Sequence, residues 1–105
     1  MAKRDKISFD KTEISLYDDY GSRPRILNLT YDRITSIQFD RSSMRVFGIL
    51  KKPTDRIMFQ IRGLELPVFL YRAREGEDFD RYMEGLRKFA RENRITLRDE
   101  LSPKE

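Results

Sequence analysis

The chain contains neither cysteine nor histidine. The lack of cysteine excludes disulfides, thiolate nucleophiles and thiolate metal sites, and the lack of histidine removes the commonest metal ligand and general base. A Mg²⁺ or Ca²⁺ site built from carboxylates alone needs clustered acids, but the 18 acidic residues are scattered and no calcium-loop spacing occurs. The sequence therefore predicts no metal and no cofactor.

A long apolar run is also absent. No stretch approaches the roughly 20 apolar residues that a membrane-spanning helix needs, and residues 1–6 lack the apolar core of a secretion signal. A chain of 105 residues has room for one domain, and its 38% hydrophobic and 38% charged residues are typical of a soluble folded protein. These features predict one cytoplasmic domain without a transmembrane segment.

Catalytic constellations are missing as well. The five glycines lie too far apart to form a phosphate-binding loop. The five tyrosines could supply phenolic acids, but no base accompanies them, and the acid pair Glu77 and Asp78 is explained by helix capping. No residue is assigned a catalytic role, so the sequence predicts that the protein is not an enzyme.

Alternating apolar residues predict seven short strands in the first 71 residues. They lie around residues 7–9, 14–16, 27–31, 37–39, 44–50, 57–61 and 66–71. Residues 41–43 interrupt the alternation, and the polar residues 51–56 are typical of a turn. Gly48 would allow the strand between these breaks to bend, and Pro67 indicates that the last strand lies at a sheet edge.

Helical spacing replaces the alternation over residues 78–93, where a helix is predicted. Its apolar residues form one stripe: Phe79, Tyr82, Met83, Leu86, Phe89 and Ala90. Asp78 is a candidate N-cap, Gly85 would let the helix lie close to the sheet, and Asn93 can end it in the left-handed conformation. The last residues have nothing to bury, which predicts a single domain over residues 1–97 and a flexible charged tail over residues 98–105.

The net charge of +4 equals the excess of one predicted hairpin. Between residues 41 and 56 a single acid, Asp55, stands against five basic residues: Arg41, Arg45, Lys51, Lys52 and Arg56. Several cations on one segment favour a polyanion, such as nucleic acid or an anionic membrane surface. The alternative is a solvated turn of a charge-rich protein, since Phe47 is the only neighbouring ring that could stack on a base.

The order of the elements resembles that of bacterial pleckstrin-homology-like (PH-like) domains. Residues 27–37, between the third and fourth strands, and residues 79–86, in the closing helix, carry the resemblance. It implies a mainly β fold with one α-helix, in which a seven-stranded antiparallel barrel or sandwich of two sheets is capped by the C-terminal helix. It also implies a noncatalytic binding or assembly module.

Two functional hypotheses follow from this resemblance and from the charge. In lipid-binding members the first hairpin is basic, but here residues 6–14 place one loop cation between two acids, which does not build a multi-phosphate site. The first hypothesis is binding of a protein partner, or self-association, through a strand edge or an apolar patch at Leu64, Leu66 and Val68. The alternative is binding of an anionic ligand, either nucleic acid or a lipid headgroup, through the basic hairpin.

Overall fold

The computed structural model describes residues 5–19, 23–46 and 50–101, with the backbone alone for residues 44–46. Its strands are β1 (Ile7–Phe9), β2 (Glu13–Asp18), β3 (Arg25–Thr30), β4 (Ile34–Val46), β5 (Leu50–Ile61), β6 (Val68–Tyr71) and β7 (Thr96–Asp99). Its helices are α1 (Arg72–Glu75), α2 (Asp78–Asn93) and a 3₁₀ helix (Tyr31–Arg33) that joins β3 to β4. The described chain is therefore mainly β, as the alternating apolar pattern predicted.

The strands form two sheets. The smaller is antiparallel in the order β1-β2-β3, with Ile14 opposite Leu29. The larger has the order β6-β5-β4-β7, and β7 runs parallel to β4, with Ile37 opposite Leu97. β6 lies at an edge of this sheet, as Pro67 indicated. Within the described residues no strand pairing joins the two sheets, so the strands do not close into a barrel there.

The C-terminal part of the fold differs from the predicted one. β7 follows α2 and is parallel to its neighbour, because the chain turns at Arg94 and then runs beside β4 in the same direction. A second helix of one turn, α1, precedes α2, so one α-helix was too few. The predicted tail begins too early, since Arg98 and Asp99 belong to β7. Residues 102–105 of that tail lie outside the described residues.

β4 and β5 form a long hairpin at the centre of the larger sheet. β4 runs over 13 residues and β5 over 12. The predicted break at residues 41–43 and the predicted turn at residues 51–56 are therefore wrong. Polar residues continue both strands because each pairs with a residue of the opposite strand, and of the described side chains at residues 41–43 and 50–56 only Thr54 is buried. The bend expected at Gly48 lies outside the described residues.

The core is shared by the two sheets and α2. Alternate residues of each sheet point into it, such as Leu16 from β2 and Ile57 and Phe59 from β5, all at most 2% exposed. The residues of the predicted helix stripe are all buried: Phe79, Tyr82, Met83, Leu86, Phe89 and Ala90. Full burial of a large apolar side chain contributes about 1.5–3 kcal/mol, so this core holds the sheets and the helix together.

α2 lies close to β1 at a glycine. A Cβ atom on Gly85 would lie 2.5 Å from the ring of Phe9, so the absence of a side chain permits the close approach that was predicted. The N–H of Lys6 donates a hydrogen bond of 2.9 Å to the buried hydroxyl of Tyr82, and burial raises the pKa of that hydroxyl. These contacts fix the helix across the start of the smaller sheet.

The helix ends differ from the prediction by one residue. Glu77, rather than Asp78, precedes the first turn. At the other end Arg94, rather than Asn93, takes the left-handed conformation, with φ 57°. The side-chain amide of Asn93 instead donates a hydrogen bond of 2.9 Å to the backbone oxygen of Lys11, which ties the helix end to the β1–β2 turn.

Candidate functional site

The β4–β5 hairpin extends beyond the strands that flank it. β7 pairs with β4 only as far as Phe39, and β6 pairs with β5 only from Arg56 onwards. The part beyond these points, residues 41–46 and 50–55, is called the arm. Its two strands face each other on six rungs, from Arg41 opposite Asp55 to Val46 opposite Leu50. No other described strand pairs with either edge of the arm.

Alternate residues of β4 direct their backbone groups away from β5. In an antiparallel pair, residues that do not hydrogen-bond to each other point their N–H and C=O groups outward. Phe39 is such a residue, because its C=O accepts the N–H of Glu100 at 2.9 Å on the β7 side. The register continues unbroken to the end of β4. Residues 41, 43 and 45 therefore also direct backbone groups outward, along an edge that no described strand covers.

The two edges of the arm are not equivalent. On β5 the outward groups belong to residues 51, 53 and 55, and Pro53 has no N–H to donate. Lysine and proline on an exposed edge prevent pairing with other strands, and Lys51 and Lys52 directly precede Pro53. At the base of the arm, Ala73 of α1 donates its N–H to Thr54 Oγ1 at 2.9 Å. Among the described residues, the β4 edge has no proline and no such helix contact, and no described strand covers it.

Four of the five predicted binding residues lie on the arm. Arg41 stands at its base, where its side chain is 66% exposed and forms an ion pair of 3.3 Å with Asp55. Lys51 and Lys52 are exposed, and no ion pair joins either of them to a described residue. Arg45 lies opposite Lys51 in the register. The structure thus brings these four cations onto five successive rungs of one ribbon.

The fifth predicted residue, Arg56, lies below the arm and already has a partner. Its guanidinium donates two hydrogen bonds, of 2.8 and 2.7 Å, to the carboxylate of Asp40 and lies 4.8 Å from the ring centre of Phe69. The Arg56 side chain is 21% exposed and the Asp40 side chain 9%. The guanidinium of Arg56 holds the pKa of the Asp40 carboxyl below its usual range, and the carboxylate raises the pKa of Arg56. Arg56 therefore belongs to a neutral pair within the sheet.

The sequence pattern did not point to Asp40, which precedes the basic segment by one residue. A signal was nevertheless present. A hairpin centred on residue 48 places residue 40 opposite residue 56 and residue 41 opposite residue 55, so each of two arginines faces an aspartate. The expected turn over residues 51–56 concealed this symmetry, because residues in a turn have no cross-strand partner.

A cleft of about 500 Å³ opens beside the base of the arm. It is lined by three arginines, Arg41, Arg72 and Arg87. Each guanidinium already binds a carboxylate, for example at 2.7 Å between Arg72 Nε and Asp55 Oδ2. Glu100 adds a further negative charge to the lining. Among the described residues of this cleft, no arginine is left unpaired for an anionic ligand.

The apolar patch expected around Leu66 does not form. Leu66 is 78% exposed, but Val68 is only 4% exposed and Leu64 packs against the core. Single exposed apolar residues are common on folded proteins and do not mark an interface.

The described residues lack both a carboxylate metal site and a membrane-spanning helix. They contain no group of three or more aspartate or glutamate side chains that could hold a metal ion. Neither α-helix that the structure describes has the length and apolar character needed to cross a membrane.

Comparisons with known proteins provide no relative for this chain. No family model, no curated protein and no solved structure matches it.

Proposed function

We propose that this chain is a noncatalytic binding module of the PH-like kind, which takes up an extended segment of a protein partner as a new strand along the β4 edge of the arm. The observation that carries the proposal is the β4 edge of the arm, which no described strand covers and along which residues 41, 43 and 45 direct backbone groups outward beyond the end of β7. Strand addition is a common mode of peptide recognition, in which main-chain hydrogen bonds supply affinity. Two sheets sharing a core with an amphipathic helix support the PH-like comparison.

An added strand would also stabilise the arm. Two-stranded ribbons are marginally stable in water, and among the described side chains of the arm only Thr54 is buried. The pair formed by Asp40 and Arg56 lies one rung below the arm and fixes its register before any partner binds. Because this register is set in advance, a partner strand meets an ordered template, which lowers the entropic cost of binding.

Panning a phage-displayed library of short random peptides against the purified protein tests the proposal. Ser43→Pro removes an outward N–H without removing a hydrogen bond between β4 and β5, as Pro53 already does on the opposite strand. Ser43→Ala keeps that N–H and is the matched control. Peptides selected on the wild-type protein should bind Ser43→Ala with unchanged affinity and bind Ser43→Pro roughly tenfold less tightly or worse.

Thermal unfolding of both variants establishes that the fold persists, and hydrogen exchange locates the bound segment. On peptide binding, the amides of residues 41, 43 and 45 should become protected, whereas those on the outer edge of β5 should not. Selected peptides that bind Ser43→Pro as tightly as the wild-type protein would contradict strand addition at this edge.

A second candidate function is binding of nucleic acid or an anionic membrane surface by the same arm. The observation in its favour is that Lys51 and Lys52 are exposed without an ion pair to any described residue. Such binding would weaken steeply with added salt and with Lys51→Glu/Lys52→Glu, but not with Ser43→Pro. Titrations with single-stranded DNA and with vesicles that contain anionic lipid therefore distinguish the two functions.

A further inference from the structure

We infer that the partner segment is acidic, with at least two carboxylates within five consecutive residues. The inference rests on the proposed strand addition and specifies the chemistry of the strand that is added.

The arm carries an excess of positive charge. Residues 41–54 contain four basic residues and no acid, which matches the net charge of +4 carried by the whole chain. Asp55 lies at the base, where its carboxylate pairs with both Arg41 and Arg72, so no acid on the upper rungs balances Lys51 and Lys52. The four cations occupy five rungs, which span roughly 14 Å at about 3.4 Å per residue. A strand of five residues added along β4 runs past all of them.

The distances across the ribbon decide how strongly such a strand is attracted. Arg41 and Arg45 belong to β4 and would lie on the strand next to the partner, about 4.8 Å away. Lys51 and Lys52 lie one strand further, at about 10 Å, which is close to the screening length of about 8 Å at physiological salt. Each exposed pair contributes little alone, but several acting together should favour an acidic strand about tenfold over a neutral one.

A second copy of this chain is disfavoured by the same charges. Pairing of two arms edge to edge would place their cations on adjacent strands, and like charges on neighbouring strands are destabilising. The positive charge of the arm therefore favours an added segment of opposite charge and disfavours pairing with the β4 edge of a second copy of this chain. This separates the partner proposed here from self-association through the arm.

Three synthetic peptides of one alternating sequence test the charge preference. All have valine at alternate positions, and the remaining positions carry glutamate, glutamine or lysine. Fluorescence anisotropy with the purified 105-residue chain at low salt should give the order glutamate, glutamine, lysine, with the glutamate peptide binding about tenfold more tightly than the glutamine peptide. The difference should shrink as NaCl rises from about 50 mM to about 500 mM.

Two variants distinguish the contribution of charge from that of main-chain hydrogen bonds at the β4 edge. Lys51→Glu/Lys52→Glu should reduce or invert the preference for glutamate over lysine and leave the affinity of the glutamine peptide within about twofold. Ser43→Pro should weaken all three peptides by a similar factor, because it acts on main-chain hydrogen bonds that the peptides share.

The possible failures are distinguishable. Equal affinity of the three peptides, each still sensitive to Ser43→Pro, would overturn the inference and leave strand addition standing. If Ser43→Pro leaves the affinity for the glutamate peptide unchanged, and single-stranded DNA binds with a similar affinity, the arm binds polyanions and both proposals are overturned. A dimer in light scattering that Ser43→Pro abolishes would assign the edge to a second copy and overturn the acidic partner.

Discussion

The β4–β5 hairpin has two halves that share one register but differ in their surroundings. In the lower half, residues 34–40 and 56–61, β7 and β6 flank the strands, and Phe39 and Phe59 are fully buried. In the upper half, the arm, both edges are unpaired in the described structure, and Leu50 is 65% exposed.

Charge follows the same division. At the boundary Asp40 neutralises Arg56 inside the sheet, whereas the upper rungs of the arm carry Lys51 and Lys52 without an acid. Pairing between β4 and β5 is therefore sufficient to continue the two strands into the arm. A strand pair stabilises the domain, however, only where other strands flank it and one of its faces is buried. The lower half contributes to the stability of the fold, whereas the arm is an exposed surface available for binding. Substitutions in the two halves should change different properties.

The largest difference between the halves should come from Phe59→Ala. The ring is 0% exposed, so its removal leaves a cavity in the shared core and should lower the free energy of unfolding by about 3–5 kcal/mol. Leu50→Ala is the matched change on the arm, and it should alter that free energy by less than about 0.5 kcal/mol. Urea denaturation followed by circular dichroism measures both. A loss above about 2 kcal/mol for Leu50→Ala would show that the arm packs as the core does.

At the boundary between the halves, Asp40→Asn should have the next largest effect. The substitution keeps the shape of the side chain but removes the charge that binds Arg56 through two hydrogen bonds. We expect the free energy of unfolding at pH 7 to fall by about 2 kcal/mol, since hydrogen bonds to charged groups are worth more than neutral ones. Glu65→Gln removes an exposed carboxylate and is the control, for which little change is expected.

The contribution of Asp40 should depend on pH with a defined sign. Hydrogen bonds from Arg56 lower the pKa of this carboxyl below its ordinary value, so the folded state binds the proton less readily than the unfolded chain. Its stabilisation is complete above about pH 5 and is lost as the pH falls below about 4, through the lowered folded-state pKa. The difference between wild type and Asp40→Asn should therefore shrink on acidification. A difference that stays constant down to about pH 2 would contradict the charge-based account.

Periodicity identified most of the fold because burial imposes it. The helix stripe from Phe79 to Ala90 and the alternation around Phe59 both record which side chains face the core. β7 escaped detection because it has four residues, of which none is fully buried, so its pattern resembles a solvated tail. Residues 41–43 and 51–56 were interpreted as a break and a turn for the same reason, since apart from Thr54 none of these side chains is buried and they carry no apolar period.

The candidate site could be predicted only in part. The cations of the arm were visible as an excess of charge in the sequence. The β4 edge that no described strand covers was not visible, because it depends on where β7 ends relative to the hairpin. The partner of Arg56 was missed, since Asp40 is 16 residues away in the chain and becomes a neighbour only in a register that the predicted turn over residues 51–56 does not allow.

Removal of most of the arm should change stability less than either Phe59→Ala or Asp40→Asn. Replacement of residues 43–53 by Asn-Gly leaves Ser42 opposite Thr54 as the last rung, and a two-residue turn of this type matches the twist of an antiparallel pair. Because the excised rungs bury no described side chain, the free energy of unfolding should change by less than about 1 kcal/mol, with cooperative unfolding retained. The same variant should bind none of the peptides selected on the intact protein. Loss of cooperative unfolding would instead show that the arm is needed for folding. The distinction between a lower half that stabilises the fold and an arm that only binds a partner would then be wrong.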